Sequence, residues 1–174
     1  MKKETKKGTK SKTEIAVLAA GCFWGVQYVF DKMPGIVKTE VGYAGGKMED
    51  PSYEDVSTST TGHAEAVRVE FDPKKISYEK ILEVFFKCHD PTTMNRQGPD
   101  FGPQYRSIIF YLNEDQKKKA EKAKKDYEKV LGLKVVTEIV KAGKFYLAEE
   151  YHQKYYDKKG SKPYCHIVPK IDFK

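Results

Sequence analysis

The chain has 174 residues, 39% hydrophobic and 13% aromatic, enough to core one domain on the scale of ~100–200 residues per domain and too apolar for a disordered protein. Its longest nearly apolar stretch, residues 16–26, has 11 residues against the ~20 that cross a bilayer, and three cysteines are too few for a disulfide scaffold, so a membrane span and a disulfide-dependent fold are excluded. The net charge of +7 is concentrated in residues 1–12, which hold six lysines and one glutamate and leave the body at +2, an argument against a nucleic-acid-binding face.

In chain order, residues 1–13 read as a disordered basic tail and 14–174 as one folded domain. Basic residues before Ile15-Ala16-Val17-Leu18-Ala19-Ala20-Gly21-Cys22 loosely resemble a lipoprotein signal ending at a cysteine. The apolar run is about seven residues, the short end of the ~7–15 of a signal core, and Phe23-Trp24-Gly25 follows at once, so a buried strand over residues 15–20 explains it better. A helix from Phe23 to about Lys32, closed by Pro34-Gly35, places Cys22 at a strand-to-helix corner.

Val37, Thr39, Val41 and Tyr43, and then Val67, Val69 and Phe71, alternate with more polar neighbours as half-buried strands do. Tyr78, Ile81, Leu82, Phe85 and Phe86 trace one face of a helix behind a Ser77 cap. A strand follows from Arg106 to Leu112. Asn113 with Gln116 resembles a capping box, and Ala120, Ala123, Tyr127 and Val130 mark the buried face of the next helix. Val135 to Val140 suggests another strand, and Leu147, Tyr151 and Tyr155 a last, tyrosine-rich helix. The mixture predicts an α/β (α+β) fold, a two-layer sandwich of a mixed sheet packed with helices, with a ferredoxin-like core. Two long loops, Ala44–Gly62 and His89–Gln104, exceed the ~12–15 residues usual within a compact domain and are expected to carry the chemistry.

Cys22 fits two readings. At the first turn of a helix, free N–H groups and the helix dipole lower a thiol's pKa and favour a nucleophilic thiolate; the other reading is a small buried hydrophobe. Phe23-Trp24 favours the first, because two consecutive aromatics at such a corner rarely both enter one core, and an exposed pair beside a thiolate suits an apolar or methylated group. Three widely spaced cysteines, Cys22, Cys88 and Cys165, with no convincing signal sequence, imply a reducing cytoplasm. Cys88, on a helix after Phe85-Phe86, has no reactive cue and reads as structural.

Gly21-Cys22-Phe23-Trp24-Gly25 resembles the signature of the A-type peptide methionine sulfoxide reductases. Gly42-Tyr43-Ala44-Gly45-Gly46, Pro51-Ser52-Tyr53-Glu54, Gly62-His63-Ala64-Glu65, His89-Asp90-Pro91-Thr92 and Gln104-Tyr105-Arg106-Ser107 resemble that family's other blocks, in its order, over residues 15–158. The resemblance implies a single catalytic domain over residues 14–174 that reduces methionine S-sulfoxide, free or in oxidised proteins. It implies that Cys22 attacks the sulfoxide sulfur while Glu65, kept protonated by burial, acts on the oxygen. Tyr53 and Tyr105 would donate phenolic hydrogen bonds to that oxygen, Asp100 would hold the network, and Phe23 and Trp24, beside Gly21, would receive the terminal methyl group.

Read from the residues alone, Glu65 fits a surface carboxylate, Asp100 a turn residue and His63 a structural hydrogen bond. Tyr164-Cys165 resembles the family's resolving cysteine on its C-terminal segment, whose disulfide with Cys22 thioredoxin would reduce. The Gly-rich tail of many members is replaced here by Val168-Pro169-Lys170-Ile171-Asp172-Phe173, whose apolar residues could pin the segment down. The adjacent pairs Cys88-His89 and Cys165-His166 lack the spacer of zinc knuckles, so no metal or other cofactor is expected. Nor is a nucleic-acid or membrane partner, and the chain is expected to be a monomer.

Overall fold

The computed structural model describes residues 12–173; residues 1–11 of the expected basic tail lie outside the described residues. The elements are β1 Glu14–Ala20, α1 Phe23–Asp31, β2 Ile36–Ala44, α2 Tyr53–Ser57, β3 Ala64–Phe71, α3 Tyr78–Cys88, β4 Arg96–Gln97, β5 Asp100–Phe101, β6 Ser107–Tyr111, α4 Glu114–Leu131, β7 Glu138–Lys141, β8 Phe145–Leu147 and α5 Tyr155–Lys159. Short 3-10 turns cover Pro103–Tyr105 and Glu150–His152. The main sheet has the order β7-β6-β1-β3-β2-β8, antiparallel except for the parallel pair β6–β7. Its middle four strands, joined through α1 and α3, are the expected ferredoxin-like core, and the pairing of β6 with β7 makes the sheet mixed. Among the described residues no helix is long and apolar enough to cross a membrane.

Period-two alternation aims Ala16, Leu18 and Ala20 of β1, Val67, Val69 and Phe71 of β3, and Val41 and Tyr43 of β2 at one sheet face, against Phe23, Val26 and Phe30 of α1 and Ile81, Leu82 and Phe85 of α3. Each large apolar side chain fully buried there contributes ~1.5–3 kcal/mol. The other face carries a smaller cluster of Val17, Ala19, Ala44, Ala64, Ala66, Ile108 and Phe110. The Ser77 cap accepts from Lys80 N at 3.1 Å.

Several local readings are corrected. The stretch Ala44–Gly62 is not all loop, because a Ser52–Asp55 capping box starts α2. His89–Gln104 holds the β4–β5 ribbon, and the strand expected from Val135 to Val140 covers only Glu138–Lys141, where it can run beside β6. Asn113 caps α4, but Gln116 does not complete the box: its amide accepts from Leu112 N and donates to Ile15 O at 2.8 Å, tying α4 to β1. Val130 is 79% exposed, past the end of the buried stripe.

The tyrosine-rich helix from Leu147 to Tyr155 does not form. The backbone edge of β2 was still open, and Phe145–Leu147 pairs with Gly42–Ala44 instead. Gln153 then continues the ladder with its side chain, accepting from Val41 N and donating to Val41 O, both at 3.0 Å. Lys154 sits in the left-handed region at φ 56°, which breaks helical continuity, and its ammonium lies 2.6 Å from Asp31.

Candidate active site

The corner between β1 and α1 is cut by Gly21, at φ 93°, where a side chain would strike the Gln97 methylenes. Cys22 follows as the N-cap of α1, its carbonyl accepting from Gly25 N and Val26 N, with 8% of its surface exposed. The expected thiolate is not the resting form. Burial foremost, then the nearby Glu65 carboxyl, holds the thiol well above its ordinary pKa, and the hydrogen bond from the Trp24 backbone N–H offsets only part of this. Desolvation has outweighed the helix terminus.

Glu65 opposes Tyr43 in the β2–β3 register and shares the core face of Val67, Val69 and Phe71. It is therefore carried inside, 3% exposed, and accepts from Phe23 N at 3.2 Å. Burial raises its pKa to about 8 against that hydrogen bond, with Asp100 adding to the rise. The carboxyl keeps its proton at neutral pH.

Tyr53 at the start of α2 and Tyr105 at the end of the 3-10 turn before β6 are both held above the usual phenol range, by burial first and then by Glu65. Cys22 and Asp100 act on both phenols as well, so residues from five separate parts of the chain share one electrostatic neighbourhood. Asp100 on β5 accepts from the Tyr164 hydroxyl at 3.1 Å on each oxygen.

The sequence predicts an exposed aromatic pair, and the structure corrects this. Phe23 is fully buried, since the helix turn directs it into the main core, while Trp24 is half-buried and stacks on Tyr155 at 3.6 Å between ring centroids. Trp24 Nε1 donates to His152 Nδ1 at 2.9 Å, and the His152 ring packs 4.4 Å from that of Tyr53. Glu149 ties the wall together, accepting from Tyr43 Oη, Tyr151 Oη and Tyr53 N. The expectations above missed His152 and Glu149, because the helical spacing credited to residues 147–155 gave neither a role. The one available signal was a histidine and a glutamate beside a tyrosine cluster. His63 accepts from Gly46 N at 3.0 Å and bonds Met48 O, a structural role.

Cys165 lies over the same corner, its neighbour His166 packed against Gly21 and Gly25. Its segment is anchored by Tyr164 to Asp100, by His166 Nε2 to Ala20 O at 2.6 Å, by Ile167 N to Cys88 O, and by Ile171 and Phe173 against the main core. His166, also missed, is 5% exposed; its signal was adjacency to a candidate reactive thiol. Cys88 is buried in the core with Sγ 3.3 Å from Phe85 O. All three cysteines are unpaired. Among the described residues no group of three or more His, Cys, Asp or Glu could hold a metal ion.

A buried acid, two phenols and a thiol at one corner can protonate an oxygen while sulfur attacks its neighbour. The family model described as peptide methionine sulfoxide reductase matches residues 14–174. A relative in Methanosarcina acetivorans, peptide methionine sulfoxide reductase MsrA, is 58% identical over 149 residues, 84% of this chain and 79% of its own. Mxr1 from Saccharomyces cerevisiae in reduced form superposes with a TM-score of 0.86 at 38% identity, covering 91% of this chain and 93% of that one. The same yeast protein in complex with Trx2 gives a TM-score of 0.63 at 28% identity, covering 96% and 97%. The present structure is thus more similar to that reduced form than to the complex.

Proposed function

The chain belongs to the peptide methionine sulfoxide reductase family and is an oxidoreductase that reduces methionine sulfoxide, and from that premise we propose how its side chains divide the reaction. The observation that carries the reading is the Glu65 carboxyl, 3% exposed and accepting from the backbone N–H of Phe23, the residue after Cys22. The methyl end of the substrate lies toward Trp24, whose indole is held by His152. Glu65 protonates the sulfoxide oxygen, helped by the Tyr53 and Tyr105 hydroxyls, which makes the sulfur electrophilic. As negative charge leaves the oxygen, the Cys22 proton can pass to the Glu65 carboxylate and the Cys22 sulfur attacks. The oxygen ends on Cys22 as a sulfenic acid, the thioether departs, and Glu65 is again protonated, so the proton count closes.

A neutral resting thiol favours this order. Cys22 ionises only when a polarised substrate is present, which spares it from stray oxidants between turnovers. Asp100 orders the site through Tyr164 and raises the Glu65 pKa. The residues 14–174 work as one catalytic domain and as a monomer. Three unpaired thiols suit a reducing cytoplasm. The expected result of an assay with the separate epimers is turnover of the S sulfoxide and none of the R, for both free methionine sulfoxide and oxidised peptides. Equal turnover of both epimers would remove the proposed one-sided arrangement of Glu65 and Cys22.

The sulfenic acid is resolved by Cys165, and thioredoxin reduces the resulting disulfide. Docking of the Cys165 segment over the corner, through the hydrogen bond between His166 and Ala20 O, supports this. Cys165→Ser should still release about one methionine per Cys22, because oxygen transfer precedes any disulfide. Thioredoxin-driven turnover should then fall steeply, while dithiothreitol, small enough to reach the sulfenic acid, sustains part of it. Full thioredoxin-dependent activity in this variant would assign the cycle to Cys22 alone and make residues 164–173 a docked structural tail.

A further inference from the structure

The reduced Cys165 has a problem of its own: a resolving thiol must become a thiolate to attack, yet burial foremost and then the Asp100 carboxylate push its pKa up to about 12. Something must take the proton during attack. His166 Nε2 lies 2.6 Å from the Ala20 carbonyl, which can only accept, so Nε2 carries the ring hydrogen. In the neutral ring Nδ1 is then a free acceptor, and it sits 3.3 Å from Cys165 Sγ. The competing acceptor, Asp100 Oδ2, is farther from the sulfur at 3.8 Å and already receives the Tyr164 hydroxyl.

The ring is held in place by its niche. It packs over Gly25, where a methyl group would collide with the imidazole, and beside Gly21, where an added Cβ would lie 3.3 Å from Nε2. These two glycines flank Cys22, so the ring that touches the Cys165 thiol stands at the sulfenic acid's corner. We propose that His166 is the general base of the resolving step, its Nδ1 taking the Cys165 proton as that sulfur attacks the Cys22 sulfenic acid. The Cys165–Cys22 S–S bond forms, the S–O bond of Cys22 breaks, and the hydroxyl leaves as water with the proton relayed from His166 through solvent. The Cys165 sulfur is oxidised and the Cys22 sulfur reduced, with no further reactant. Burial keeps the imidazole below its usual pKa despite the Ala20 hydrogen bond and the Asp100 charge, so it is the free base at neutral pH. Asp100, His89 and Cys165 are the titratable groups facing it.

The inference rests on Cys165 as the resolving thiol, and one experiment separates the two. The full chain is mixed with methionine sulfoxide without reductant, and the Cys22–Cys165 disulfide is timed by acid quench and mass spectrometry against the methionine burst. His166→Gln keeps a donor for Ala20 O and so the docking, but offers no base in the place of Nδ1; His166→Ala loses both. Both variants should form the disulfide at least about tenfold more slowly relative to the burst, a threshold set below the ~10²–10⁴-fold typical of general-base catalysis. In His166→Gln the rate should climb about tenfold per pH unit from about pH 6 to 9, as the thiol must ionise unaided, whereas wild type levels off once the ring is neutral. A wild-type disulfide rate in His166→Gln would reduce His166 to a docking residue and overturn the proposal. If wild type itself forms no Cys22–Cys165 disulfide while the methionine burst persists, the resolving role of Cys165 fails and the base falls with it.

Discussion

Cys22→Ser is expected to fold like wild type and to reduce no methionine sulfoxide, even in a single turnover with dithiothreitol present. The side chains are nearly isosteric, and the N-cap role of residue 22 rests on its backbone carbonyl, which accepts from Gly25 N and Val26 N. Serine is also a good N-cap, so the stability of α1 should hold or improve slightly. The chemistry does not survive, because an alcohol in a site that already resists ionisation of a thiol offers no nucleophilic anion, and oxygen cannot form the sulfenic acid. Measured turnover by the folded variant would place the nucleophile elsewhere, with Cys165 the first alternative.

Glu65→Gln should retain the fold and the hydrogen bond from Phe23 N, now accepted by an amide oxygen, while kcat falls by ~10²–10⁴-fold and KM changes less, since the amide has no proton to transfer. A loss below about tenfold would make Glu65 a binding residue. In wild type the first step should fade as pH rises through about 8, where the carboxyl gives up its proton. The same shift has a stability consequence of opposite sense to that of a salt-bridged acid. An unfolded chain loses this proton near pH 4.5, the folded one near 8, so between those values the folded state binds more protons and stability falls as pH rises. At pH 7 the cost is on the order of 3 kcal/mol, by the conversion of ~1.4 kcal/mol per pKa unit. Glu65→Gln escapes it, so denaturation at pH 5 and pH 8 should show wild type losing stability over that interval and the variant losing much less. Parallel losses in the two proteins would mean that Glu65 is ionised in the fold.

The sequence by itself determined the elements whose cause is local: the strand behind Gly21, the alternation of Val67, Val69 and Phe71, the Ser77 cap and the amphipathic stripe of Tyr78 to Phe86. It also determined the family, because six ordered blocks are a property of residue order alone. The alternation even held the burial of Glu65, which lies two residues before Val67 on the same face. Only the tertiary structure decided the rest. Whether Cys22 is a thiol or a thiolate depends first on its burial and then on the nearby Glu65, Cys165 and Asp100, groups from distant parts of the chain, which together outweigh the helix end beside it. Trp24 meets His152 across 128 residues of chain, and His166 meets Ala20 across 146. The helical spacing of Leu147, Tyr151 and Tyr155 was real but lost to the open edge of β2, where backbone pairing and the Gln153 amide satisfy more polar groups than a short isolated helix could. Periodicity records what consecutive residues prefer, whereas ionisation and edge pairing follow from which remote groups close around a site, and here those remote groups supply most of the active-site wall.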